Sequence, residues 1–214
     1  MKIKVLDLTS IFLLGILLIS SCSPDESEDE VDPSPVEIEG QMTDSRDGQI
    51  YETIEVGSQT WMAENFNYDP GSGSWVYDDV TSNGNTYGRL YDWETACEVC
   101  PDGWHLPTNP EWGELVDYLG GMSVAGGKLK ETGIVHWESP NTGATDEVGF
   151  KALPSGFRDI QGDYLNLGKY AQFWTSTQFS TPEAAYVVIK YNGEDLDNYS
   201  ADKLFVLAVR CVKD

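Results

Sequence analysis

Basic residues, histidines and cysteines are scarce in this chain of 214 residues. Only 13 Lys+Arg stand against 36 Asp+Glu, a formal charge of −23. A nucleic-acid backbone must be neutralised by clustered Lys and Arg, so a chain this acidic would repel it. The two histidines are His105 and His136. No second ligand pair is spaced to complete a zinc site with them. A Ser/His/Asp apparatus needs a histidine within reach of a nucleophile, and Ser155 in Leu-Pro-Ser-Gly-Phe lacks the glycine-x-serine-x-glycine elbow. His105, inside Trp-His-Leu-Pro, is expected to pack or to make a structural hydrogen bond. No spacing singles out a carboxylate pair for glycoside hydrolysis. The expectation is a protein that is not an enzyme. Long apolar runs are also missing: Ile11 to Ile19 is nine residues, whereas a spanning helix needs about 20. No repeat of fixed period occurs.

What is present begins with an export signal. Lys2 and Lys4 precede the apolar run, so residues 1–21 read as a signal peptide. Leu18-Ile-Ser-Ser-Cys22 resembles the bacterial lipobox, which makes Cys22 the expected lipid-attachment site and the membrane the first partner. Residues 22–39 follow as an acidic tether, proline-bearing and poor in apolar side chains, which cannot offset the entropy of ordering. Ser23 to Glu39 holds eight acids and no base. An acidic run behind a lipidated cysteine is similar to the surface-export signal of Bacteroidetes-type lipoproteins. The expected location is therefore the outer membrane, lipid-anchored and surface-exposed.

Residues 40–214 suit one domain. Clusters such as Asp69-Pro-Gly-Ser-Gly-Ser74, Thr81-Ser-Asn-Gly-Asn85 and Asn192-Gly-Glu-Asp-Leu-Asp-Asn198 are rich in turn residues and predict many loops. Gly48 to Val56 alternates as a strand, and Gln59 to Ala63 is its hairpin partner after Gly57-Ser58. Thr108-Asn-Pro-Glu111 has the form of a capping box, with Pro110 in the first turn, where no donor is needed. Trp112, Leu115, Val116 and Leu119 then recur at helical spacing until Gly120-Gly121. Arg89 to Cys97 predicts a second, shorter helix. Ala184 to Tyr191 and Lys203 to Val212 are the strongest strands, rich in β-branched and aromatic residues. Strands flanking two central helices give an α+β class with largely antiparallel sheets.

After Cys22 the cysteines are Cys97, Cys100 and Cys211. Three allow three pairings with one thiol left over, and a bridge from the end of the first helix to the last strand is favoured. It would close a loop of over 100 residues and contribute about 4–5 kcal/mol in the chain-entropy picture. A Cys97-x-x-Cys100 redox pair lacks the βαβ surroundings such motifs have.

Trp61-Met-Ala-Glu-Asn65, Gly88-Arg-Leu-Tyr-Asp-Trp93, Cys100-Pro-Asp-Gly-Trp-His-Leu-Pro-Thr108, Gly149-Phe-Lys-Ala-Leu-Pro-Ser-Gly-Phe-Arg158, Phe173-Trp-Thr-Ser-Thr177 and Val209-Arg-Cys-Val-Lys213 stand in an order that resembles the Fibrobacter succinogenes major paralogous domain, from about Asp47 to Asp214. The resemblance implies a secreted protein or lipoprotein of Bacteroidetes type. It also implies a fold similar to C-type lectins or sulfatase-modifying factors, with paired terminal strands, two central helices and a long loop region. In that fold a bridge joins the first helix to the last strand, which here implies Cys100 to Cys211 and leaves Cys97 outside the pattern. The paired cysteines that formylglycine-generating enzymes use are not matched, so that activity is not implied.

Binding is the better expectation. From Gly40 onward, 24 of 175 residues are aromatic, and aromatic faces stack on sugars and anchor interfaces. Trp61, Trp104, Trp112 and Trp174 are expected in the core. Tyr164, Tyr170, Phe179, Gln178 and Asp163 are the candidate ligand contacts, for an extracellular glycan or protein. Arg158 is expected as a buried ion-pair partner. C-type lectins bind sugars through calcium, and Asp146, Glu147, Asp195 and Asp197 are the oxygen-bearing candidates for that ion; no other cofactor is expected. A structural or assembly component of a cell-surface complex, adhesin- or pilus-like, is the alternative.

Overall fold

The computed structural model describes residues 39–214. The signal peptide, Cys22 and the tether up to residue 38 lie outside the described residues. In chain order the elements are β1 (Gln41–Thr43), β2 (Ile50–Val56), β3 (Gln59–Met62), β4 (Ser74–Trp75), α1 (Thr81–Tyr87), β5 (Leu90–Tyr91), α2 (Trp93–Val99), β6 (Trp104–His105), α3 (Asn109–Tyr118) and α4 (Met122–Leu129). There follow β7 (Phe157–Arg158), β8 (Tyr164–Leu165), β9 (Tyr170–Gln178), β10 (Glu183–Lys190), β11 (Leu196–Asp202), β12 (Leu207–Ala208) and β13 (Val212–Lys213). The class is mixed α+β. One sheet has the order β1-β2-β3-β13-β6, so the last strand pairs with an early one; a larger sheet runs β11-β10-β9-β12-β5-β4, and β7-β8 is a small ribbon. All pairings between these strands are antiparallel except β12 with β9.

The hairpin of β2 and β3 turns at Gly57-Ser58 as the alternation predicts. The capping box at α3 is complete: Thr108 Oγ1 accepts from Glu111 N–H, and Glu111 Oε2 accepts from Thr108 N–H at 2.7 Å. Trp112, Leu115 and Val116 turn inward from it. Around them one apolar cluster packs Trp61 against Trp112, with ring centroids 4.9 Å apart, and Trp112 against Phe173 at 5.6 Å. A second cluster gathers Tyr51, Met62, Phe66, Tyr91 and Trp174 around Cys211. Fully burying one such large side chain contributes about 1.5–3 kcal/mol. The disulfide joins Cys100 to Cys211, 111 residues apart, and ties the segment before β6 to the segment before β13.

Two cations lie inside. The Arg210 guanidinium donates to the carbonyls of Met62 and Phe150 and to Asn65 Oδ1, and lies 4.3 Å from the Phe150 ring centroid. Lys130 Nζ donates to the carbonyls of Thr142, Lys190 and Gly193 at 2.6–3.0 Å. Burial pushes Lys130 down to about 8 and Arg210 down to about 9, so both remain charged at neutral pH.

Three readings of the sequence are corrected. Among the described residues there are four α-helices where the sequence pattern predicts two. Thr81 to Asn85 opens α1 instead of a turn, and α4 was not anticipated; both carry glycines because neighbours press on them. Gly84 sits against Val76, and a Cβ at Gly126 or Gly127 would meet the carbonyls of Asp195 and Gly143. The segment Arg89 to Cys97 is not one helix: Leu90 and Tyr91 are buried as β5 between β12 and β4, and Asp92 then caps α2 by accepting from Thr95 N–H at 2.9 Å. The segment Lys203 to Val212 is not one strand, since it turns at Leu204 and then contributes β12 to one sheet and β13 to the other. From Val206 to Val212 every residue is buried. A run crossing between two sheets is as apolar as a long central strand.

Candidate functional site

A groove of about 760 Å³ lies on one face of the five-stranded sheet. Alternation along β2 puts Thr53 and Glu55 on this face, with Thr60 of β3 beside them. Residues 39–43 form one wall. Pro101, Asp102 and Trp104 close the other end, and Lys213 of β13 joins the lining. Gly103, at φ +81°, makes the turn that brings Trp104 N–H back to the Pro101 carbonyl, and the Cys100–Cys211 bridge holds this turn to the sheet. Trp104 is half-buried: it packs against the second apolar cluster, as a core residue would, but is not enclosed by it. Trp61, Trp112 and Trp174 are buried as expected. Its indole N–H has no protein acceptor among the described residues, whereas Trp61, Trp93, Trp137 and Trp174 each donate to one.

Next to the groove, His105 is held from both sides. Its Nε2 is 2.7 Å from Glu111 Oε1 and its Nδ1 is 2.6 Å from Asp214 Oδ1. Burial opposes the charge, but hydrogen bonds to both carboxylates prevail and raise the imidazole above its ordinary value. Glu111 is lowered: burial raises it, and the bonds from Thr108 and His105 outweigh that. This is the structural role expected of His105, fixing β6 to α3 and to the chain end.

A smaller pocket of about 250 Å³ opens between the segment after β3, helix α1 and the segments at Glu131 and Lys151. Asn65 forms part of its floor, fixed by Arg210 and by donation to the Tyr87 carbonyl at 2.9 Å. Gly88, at φ +75°, is required there, since a Cβ would meet Asn65 and the Phe66 carbonyl. Lys151 holds the left-handed conformation at φ +50° and donates from Nζ to Glu52 at 2.7 Å. Glu131 accepts from His136 at 2.8 Å.

The sequence profile of the Fibrobacter succinogenes major domain matches residues 54–213. The chain belongs to that family. No curated protein and no solved structure matches the chain.

Within this Fibrobacter succinogenes major domain the five residues expected to contact ligand do not form one surface. Tyr170 and Gln178 are the two ends of β9, roughly 26 Å apart at about 3.3 Å per residue. Tyr164 is half-buried near Tyr170's end; its hydroxyl donates to Asp79 Oδ1 at 2.8 Å, and its ring lies 5.1 Å from Tyr77. Asp163 is exposed just before it. At the other end, Gln178 accepts from Lys203 Nζ at 2.8 Å, and Phe179 is 71% exposed. Arg158 makes no ion pair among the described residues; its guanidinium lies 4.9 Å from the Trp75 ring centroid, and the fully buried arginine is Arg210.

The acidic residues considered for calcium carry other contacts. Glu147 pairs with Lys128 at 3.0 Å, Asp197 with Lys190 at 2.5 Å, and Asp146 accepts from Lys151 N–H. Among the described residues no group of three or more His, Cys, Asp or Glu is placed to hold a metal ion. Cys97 is a free thiol, and burial pushes it up to about 11 despite the opposing pull of Lys203.

Sequence reasoning missed both concavities. The groove depends on which face of β2 is left uncovered, and the pocket on contacts between segments up to about a hundred residues apart. The one signal in the sequence is Gly103-Trp104 directly after a cysteine-proline turn, a pattern that core packing explains equally well.

Proposed function

We propose that this chain is a lipoprotein, anchored through Cys22 and displayed on the outer-membrane surface, whose domain binds a neutral extracellular glycan in the Trp104 groove without catalysis. The supporting observation is Trp104 itself. A half-buried indole whose N–H has no acceptor among the described residues, at the end of a groove bearing threonine hydroxyls and carboxylates, is the kind of surface that sugars use: a ring face stacks on C–H groups and the polar groups take hydroxyls. A volume of about 760 Å³ accommodates a short oligosaccharide. Glu39, Glu55 and Asp102 outnumber Lys213 in the lining, a net negative charge that opposes uronate or sulfated sugars. The C-type-lectin-like reading of the fold belongs to this proposal; its support is the pairing of β13 with β3 and a disulfide between the central region and the last strand.

A glycan array with the full-length chain tests it, with Trp104→Ala as the control variant. Retention of neutral oligosaccharides by the wild type and their loss in the variant is the expected result. A second reading, a component of a cell-surface assembly, has one observation in its favour: Phe179 and Leu204, 71% and 68% exposed, flank the same end of β10. It predicts a protein that co-purifies from membranes and is released by Phe179→Ser.

A further inference from the structure

The smaller pocket shares no lining residue with the Trp104 groove. We propose that it is a second binding site, taking one neutral hexose ring such as the terminal unit of a glycan. Its volume of about 250 Å³ lies below the roughly 300–1,000 Å³ of pockets for larger ligands, so it takes a single ring and not a chain.

The chemistry of its lining is unspent. The side chains of Gln49, Glu64, Asn67, Asn85 and Thr86 form no hydrogen bond with another described residue. They offer a carboxylate, three amides and a hydroxyl, which together donate and accept as neighbouring sugar hydroxyls do. The Glu64 carboxylate is partly desolvated although the residue is exposed. Burial first, and then the nearby Glu52, raises it above its ordinary value. A hydroxyl donating to it would replace the lost hydration. The walls are already fixed: Asn65 is bonded on both sides, Gly88 admits no side chain, and the Lys151 backbone is held in a conformation costing about 1–3 kcal/mol. Charge narrows the ligand further. Glu64 and Glu131 face the pocket, and its lining cation, Lys151, is paired with Glu52 at 2.7 Å, so the lining carries a net negative charge that disfavours a phosphate or a uronate.

Saturation-transfer NMR on the full-length chain, with the methyl glycosides of glucose, galactose, mannose and N-acetylglucosamine as probes, tests the site. At least one probe is expected to bind. Glu64→Gln should weaken it about tenfold, by loss of a charge-assisted hydrogen bond, and Asn67→Ala severalfold, with thermal melts confirming that each variant is folded. The pocket variants are therefore compared in a Trp104→Ala background, which removes the groove's contribution; probe binding that persists there and is lost on Glu64→Gln belongs to the pocket, so the pocket and the groove succeed or fail separately. The proposal is overturned if none of the four glycosides binds, if both pocket variants bind as the wild type does, or if butylammonium binds and the hexoses do not.

Discussion

At the residue scale, the least expected feature is a pair of cations buried without a carboxylate partner. Lys130 carries its charge into the interior because three carbonyls from two loops converge on it. Lys130→Met would leave those acceptors unpaired and should cost about 3 kcal/mol, read as a lower urea midpoint at unchanged m-value. His105 gives the second prediction. Its folded pKa is raised, so its stabilisation is fully present below the unfolded value of about 6.5 and fades as pH rises through the folded value. Glu111 is lowered, so its share is present above about 4.5 and fades as pH falls through its folded value. The loss of Tm in His105→Gln should therefore be greatest between about pH 4.5 and 6.5 and shrink by pH 9. The pair is partly exposed and screened, so the difference stays below about 1 kcal/mol. A loss that grows with alkalinity would contradict the arrangement.

Among the elements, what could be read from the sequence was whatever is stabilised locally. The α3 capping box and the β2–β3 hairpin are written within a dozen residues, and both stand where expected. Thr108→Ala should lower stability by about 1 kcal/mol in chemical denaturation, because Glu111 N–H loses its acceptor and the Glu111 carboxylate loses the hydroxyl among its donors, keeping Thr108 N–H and His105. Helix α4 was illegible for the opposite reason. Gly126-Gly127 reads as a helix breaker, yet neighbouring backbone selects glycine at both positions, that of the loop between β10 and β11 at Gly126 and that of Gly143 at Gly127. Gly126→Ala should accordingly destabilise by about 1–3 kcal/mol through overpacking, where an exposed helix position would gain from the same change. The split of residues 203–212 between two sheets left no trace in a hydrophobic pattern that a single central strand would share.

For the whole molecule, the family and the α+β class were carried by motif order, and the site was not. A binding surface here is defined by where packing stops, and the aromatic residues that looked free are at opposite ends of β9, while Trp104, which looked like core, faces the groove. The same distribution of charges bears on calcium. Lys130, Lys128 and Lys190 place their ammonium groups against the loops that carry the acidic residues. Tm is therefore expected to be unmoved by either chelator or millimolar calcium, and a calcium-dependent rise of several degrees would show that the ion displaces those contacts. The acidity of the domain, 27 acids against 11 bases from Gly40 onward, agrees with a neutral rather than an anionic glycan. The most direct measurement of the central claim is the affinity of the full-length chain for neutral oligosaccharides, wild type against Trp104→Ala. The account predicts binding by the wild type and at least a tenfold loss in the variant at equal Tm. No binding by the wild type, or equal affinities, would contradict it.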